Sequence, residues 1–274
     1  MNVAVAAARL GTPTAFLGGL SSDDYGDMLW EHLADNGVDT TLSQRHDAPT
    51  ARAIVEHVPE LRFRFEGTGT ADTLLDNADL SLLDAGSHVL HGGTLGLFRG
   101  RTAETLAQLV ERHNGLVSLD PNIRPQIITD RDQWDHFHRR WLSHTDIYKV
   151  SDEDLSWIWP DRSHESTARE LLAAGVSAVI VTRGASGLSI ITSNGEVEVG
   201  SPFVQVVDTV GAGDTIVATV LTSISEFGAA SSSAALHELH LADWKTIAQR
   251  AVDAAAITCS RVGANPPWRS ELDW

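Results

Sequence analysis

From residue 86 to residue 182 the chain alternates short apolar runs with longer amphipathic stretches, and this rhythm restricts its fold more than any other feature. The runs at 88–91, 116–119, 147–150 and 178–182 have the length of buried strands and are too short for helices. Between them, 102–113, 132–143 and 165–174 carry helical periodicity. Strands that alternate with helices bury a sheet on both faces. The pattern therefore predicts an α/β fold with a mainly parallel sheet, and a site along the edge where the strands end.

The flanking segments extend this pattern. Residues 2–9 are helical in composition and stop at Leu10-Gly11, and 15–18 read as a short buried strand. Residues 23–34 form an amphipathic helix that ends at Asn36-Gly37. Residues 50–66 differ: two segments with period-two alternation flank Pro59-Glu60, which predicts an inserted β-hairpin, a lid or dimer element. Further on, a strand-like run at 203–207 leads into a helix at 216–227, and 244–261 form a long closing helix.

With 274 residues and 42% hydrophobic content, the chain suits one large domain, 1–274, with the hairpin as an appendage. No apolar run approaches the roughly 20 residues of a membrane helix, and no basic leader precedes the N-terminal apolar stretch. The single cysteine, Cys259, excludes an intramolecular disulfide and reads as a buried helix thiol. Together these features point to the cytoplasm. The formal charge of −17 disfavours nucleic acid and anionic membranes as partners, although one local site can still be positive. The twelve histidines show no metal-ligand spacing; His237 and His240 share a helix face and read as exposed. The tryptophans read as core packing.

Chemistry concentrates at Asp208-Thr209-Val210-Gly211-Ala212-Gly213-Asp214-Thr215. Small residues here allow a tight turn into a helix start, whose free N–H groups attract an anion such as phosphate. No Gly-Lys-Ser/Thr follows, so this is not a Walker A loop, and the third glycine of a dinucleotide fingerprint is missing. Asp214 sets a carboxylate beside that anion. Its job would be to take a proton from an attacking hydroxyl.

The same stretch resembles the signature of the ribokinase-type (PfkB) carbohydrate kinases. The likeness continues in family order through Asn2, the 120–125 loop Asp-Pro-Asn-Ile-Arg-Pro, the 149–154 segment, the 181–187 loop and the Gly-Ala-Asn-Pro-Pro ending at 263–267, most like fructokinase members. The resemblance implies a ribokinase-like three-layer α/β/α fold with a small β lid, and ATP-dependent phosphorylation of a sugar's primary hydroxyl, with fructose or a related hexose first. 2-Keto-3-deoxygluconate, ribose and nucleosides are the alternatives within that class, and a non-catalytic sugar or nucleotide sensor is the alternative outside it. Asp214 would be the general base, with Gly211, Ala212 and Gly213 forming the anion hole. Asn2 would bind sugar and Arg124 the substrate or the γ-phosphate; a helix N-cap and a surface ion pair are their plain readings. Ser151, Thr182, Gly184 and Gly187 would line the nucleotide site, and Asp154 would hold Mg2+ through water, or serve simply as a first-turn acid. Asp208 and Val210 would border a K+ site. Asp120 and Asn122 are expected to hold their loop through Asx-turns.

The sequence departs from the family pattern at its start. The family's first strand, its sugar-binding Asp and its Gly-Gly pair would all precede Asn2. The expectation is that Met1 stands inside a longer protein; a short form with crippled sugar binding is the alternative. In relatives the lid often builds a dimer, which makes self-association through 50–66 an expectation as well. Thr219 also stands where the signature has Gly or Ala.

Overall fold

The computed structural model describes residues 1–57, 61–76 and 88–274. Its centre is a six-stranded sheet. In chain order the strands are β5 (Leu90–Gly93), β6 (Val117–Asp120), β7 (Ile147–Ser151), β8 (Ala178–Thr182), β9 (Leu188–Thr192) and β10 (Gly195–Val199), arranged β10-β9-β8-β7-β6-β5. The pairings from β5 to β8 are parallel, and β9 and β10 add an antiparallel hairpin. Helices α3 (Gly100–Arg112), α4 (Arg131–Leu142), α5 (Asp152–Ile158) and α6 (His164–Ala173) follow the early strands, and α7 (Ala212–Glu226), α8 (Ser233–His237) and α9 (Leu241–Cys259) come after the sheet.

Strand alternation sorts the side chains into two cores. Leu119, Tyr148, Val150, Val179 and Val181 pack against Ala103 and Ala107 of α3, Trp134 and Trp141 of α4, and Leu171 of α6. Their neighbours Ile147, Ala178 and Ile180 face Ile216 and Val220 of α7 and Trp244, Ile247 and Ala251 of α9. The result is three layers, α/β/α. Gly92 must be glycine on the first face, since a methyl group there would overlap the Trp141 ring at 2.4 Å. Trp134, Trp141 and Trp244 are fully buried, as expected of the tryptophans, whereas Trp268 is exposed.

Before the main sheet lie α1 (Asn2–Arg9), β1 (Gly19–Ser21), α2 (Asp24–Asp35) and β2 (Gln44–His46), with β1 and β2 paired in parallel. Then β3 (Arg52–His57) and β4 (Leu61–Glu66) form a separate antiparallel pair, with Arg52 opposite Glu66. This is the expected hairpin; its Pro59-Glu60 turn lies outside the described residues. The α1 helix packs on α7 through Ala6, Ala7, Leu10 and Ala218. Arg9 secures it, donating to Asn36 Oδ1, Asn265 Oδ1 and the Pro266 carbonyl, each at 2.6 Å.

Three expectations need correction. Residues 15–18 are not a strand: Ala15 makes one isolated bridge to Asp39, and pairing begins only at Gly19. Residues 203–207 are a strand-like run but join no sheet. Phe203, Val206 and Val207 are exposed, and the segment is tied down where the Val207 and Asp208 amides donate to the Cys259 carbonyl. Cys259 itself is only half-buried, at the last residue of α9. No helix among the described residues is long and apolar enough to cross a membrane.

Candidate active site

The entry to α7 is shaped by Gly211. It precedes the helix at φ +81°, a left-handed conformation that a side chain resists, and a methyl group there would meet Ala264 Cβ at 2.7 Å. Thr215 ties the first turn down: its hydroxyl hydrogen-bonds the Gly211 carbonyl and Thr258 of α9, both at 2.9 Å. The Ala212 amide leans on the Thr209 carbonyl at 3.3 Å. Those of Gly213 and Asp214 belong to the turn whose N–H groups have no acceptor within the helix, a geometry suited to an anion.

Asp214 sits in that turn, half-buried. Because α1 lies along α7, Asn2 reaches it and donates Nδ2–H to Asp214 Oδ2 at 2.9 Å. The sequence offers Asn2 as a sugar ligand or an N-cap. The cap position of α1 is Met1, without a side-chain cap bond, so Asn2 is not the cap. Farther along α7, Thr219 is fully buried and its hydroxyl has no partner, so a smaller residue would leave no polar group stranded there.

Opposite α7, the strand ends present a polar row on the same face. Asp120 of β6 and Lys149 of β7 form an ion pair at 2.8 Å with side chains 3% and 6% exposed. Burial pushes the Asp120 carboxyl up, and the Lys149 charge opposes that rise. The second Asp120 oxygen accepts the Asn122 amide at 3.1 Å, which is the expected Asx-turn. One row deeper, His91 of β5 hydrogen-bonds Ser118 at 3.1 Å; burial holds its imidazole down to about 4. Sequence reasoning passed over Lys149 and His91. The available signal was a lysine inside an apolar strand, Ile-Tyr-Lys-Val, that is buried on both faces.

The other predicted residues gather along this edge. Ser151 and Thr182 are register partners at the ends of β7 and β8. Ser151 also caps α5 by accepting the Asp154 amide at 3.0 Å, so Asp154 is a first-turn acid. The Asp154 carboxylate accepts the Ile123 amide at 3.2 Å, which stitches α5 to the 120–125 loop, and burial raises its pKa. Arg124 is exposed, within electrostatic reach of Asp154, and donates to the carbonyl of its neighbour Ile123 at 2.8 Å. Gly184 and Gly187 form the tight turn after β8. At Gly187, φ is +93° and a methyl group would strike the Val199 carbonyl at 2.0 Å, so this glycine is demanded by packing. Asp208 accepts the Val210 amide at 3.0 Å and the Gly263 amide at 2.9 Å; these bonds hold its carboxyl below the usual range and lock the loop before α7 to the one after α9. No cluster of three metal-ligating side chains occurs among the described residues. A cavity of about 960 Å³ beside His237 and His240 lies at the β9–β10 turn, away from this edge.

Comparison with known proteins agrees with this geometry. Residues 1–271 match the pfkB family carbohydrate kinase profile. A fructokinase from Rhizobium leguminosarum bv. trifolii is 38% identical over 226 residues, covering 81% of this chain and 69% of the relative. Among solved structures, a Xylella fastidiosa fructokinase with bound ATP superposes with a TM-score of 0.87 at 29% identity, over 96% of this chain and 84% of that one. The aminoimidazole riboside kinase of Salmonella enterica, complexed with aminoimidazole riboside and an ATP analogue, gives 0.81 at 27% identity, over 98% and 88%. A ribokinase-like α/β/α fold, an open helix start carrying Asp214 and a family match along nearly the whole chain lead to one conclusion: this protein belongs to the pfkB family and is a carbohydrate kinase.

Proposed function

We propose that the protein transfers the γ-phosphoryl group of ATP to a primary hydroxyl of a small sugar, fructose or a close hexose, with Asp214 as general base. The observation that carries this reading is the Asn2–Asp214 contact at the open first turn of α7. Asn2 spends its amide on one carboxylate oxygen, fixing its direction. The other oxygen is left to take the proton as the sugar oxygen attacks phosphorus and the bond to the ADP oxygen breaks. The amides of Gly211, Ala212 and Gly213 are assigned to the charge that builds on the phosphoryl oxygens, and such positioning supplies most of the rate in phosphoryl transfer.

Asp154 fits a hydrated Mg2+: it is a partly buried carboxylate at the strand ends, beside Ser151, and desolvation raises its pKa. Asp154 and Ser151 would hold the water shell of the ion, which neutralises phosphate charge when bound. Thr182, Gly184 and Gly187 are assigned to the nucleotide and Arg124 to the substrate. Asp208 and Val210 are assigned to a K+ site. We read 1–274 as one domain whose β3–β4 hairpin closes over the sugar, excludes water and offers a surface for self-association.

A second reading, phosphorylation of a riboside, is favoured by the likeness to the Salmonella enzyme. The test is a panel of fructose, ribose, 2-keto-3-deoxygluconate and nucleosides with ATP, read by coupled ADP release. Fructose is expected to give the highest kcat/KM. Preference for a riboside overturns the hexose assignment, and binding without turnover of any of them overturns the kinase mechanism in favour of a sensor.

A further inference from the structure

The buried Asp120–Lys149 pair lies against the phosphoryl end of the site. Asp120 and Lys149 stand on the sheet face that carries α7, one row above the apolar contacts of Ile147 with that helix layer. A methyl group built on Gly213 would lie 3.0 Å from Lys149 Nζ, so the ammonium stands beside the first turn of α7, and a side chain at 213 would press on it. A cation pressed on the positive end of a helix is unfavourable by itself. Burying it is costlier still, and an apolar pair of the same size would hold the strands together as well. The chain has only two lysines and buries this one beside the general base.

We propose that the Lys149 ammonium and the first turn of α7 together hold the phosphoryl group in transit. In this arrangement Asp120 is a positioning residue that aims Nζ at Gly213. The pairing resolves the electrostatic conflict: two positive groups face each other because an anion lies between them during turnover. Asp120 takes one ammonium hydrogen, and the others are directed at the phosphate. In the transfer step itself the proton still goes to Asp214, and Lys149 exchanges none.

This proposal rests on the kinase reading, so its test includes a readout independent of turnover. Lys149→Met, Asp120→Asn and the double variant Asp120→Asn/Lys149→Met are compared by calorimetric titration with ATP and with adenosine, which lacks phosphates, and by steady-state kinetics. Removing one charge-assisted contact to phosphate is expected to weaken ATP binding or kcat about tenfold or more. Adenosine binding should be unchanged. The double variant leaves no buried charge unpaired, so it is expected to unfold no more easily than wild type while keeping the full functional loss of Lys149→Met. Wild-type ATP binding and turnover in the double variant overturns the proposal and leaves the pair a purely structural one. Independent, multiplying losses from the two single changes would refute the positioning role of Asp120. Absence of sugar turnover in the wild type would sink the kinase reading alone, because the ATP-against-adenosine comparison still decides the role of Lys149.

Discussion

Replacing Asn2 with leucine isolates the orientation of the base from the base itself. Asn2 is exposed at the first residue of α1 and takes no part in capping, and leucine is a good helix former, so the helix survives the change. The loss is one hydrogen bond, 2.9 Å long, from an amide to a carboxylate. Bonds to charged groups contribute about 1.5–3 kcal/mol, and the exposure of this one places it at the low end. A loss of about 1.5 kcal/mol realised in the transition state corresponds to roughly a tenfold fall in kcat. Coupled ADP release at saturating ATP and sugar measures it, and the unfolding free energy from a denaturant titration should fall by no more than about 1.5 kcal/mol. A kcat within twofold of wild type refutes the idea that Asn2 orients Asp214. A rise in sugar KM with kcat unchanged returns Asn2 to simple sugar binding.

Gly211→Ala should destabilise the fold by at least about 1–2 kcal/mol, because it forces a side chain into a left-handed conformation as well as into Ala264; urea unfolding reads it. Trp141→Ala should cost about 3–5 kcal/mol, as large aromatic truncations do, and the same titration measures it. His138 is buried, stacked on Trp134 at 4.5 Å and bonded to the Tyr148 hydroxyl at 3.0 Å, and burial holds its imidazole down to about 3. The unfolded chain therefore takes up the proton first as pH falls. The His138 contribution to stability is complete above the ordinary value of 6.5 and is lost between there and about 3. His138→Gln should flatten that part of the stability–pH curve, and an unchanged slope contradicts the reading.

The fold was legible where burial writes a pattern. The strands from β5 to β8 fall within two residues of their predicted places, since a strand covered on both faces is apolar over much of its length. At 203–207 a similar apolar run misled, because strand-like composition says nothing of whether a sheet edge is there to pair with. The turn at 208–215 was legible because small residues, a positive φ and a helix start are local matters. The partners of Asp214 were not. Asn2 meets it only because alanines let α1 approach α7 closely, across a sequence separation of 212 residues. Lys149 was visible as an oddity in β7, but its direction toward Gly213 follows from strand register, which no single segment encodes.

Asp214→Asn tests the central claim most directly. The change preserves shape and leaves Asn2 a partner, while removing the only feature of the side chain that accepts a proton from a hydroxyl. Loss of a positioned base costs about 10²–10⁴ in rate. The account predicts a kcat with ATP and fructose reduced by that factor, at unaltered thermal stability and ATP affinity. A folded Asp214→Asn protein that turns over within threefold of wild type contradicts it.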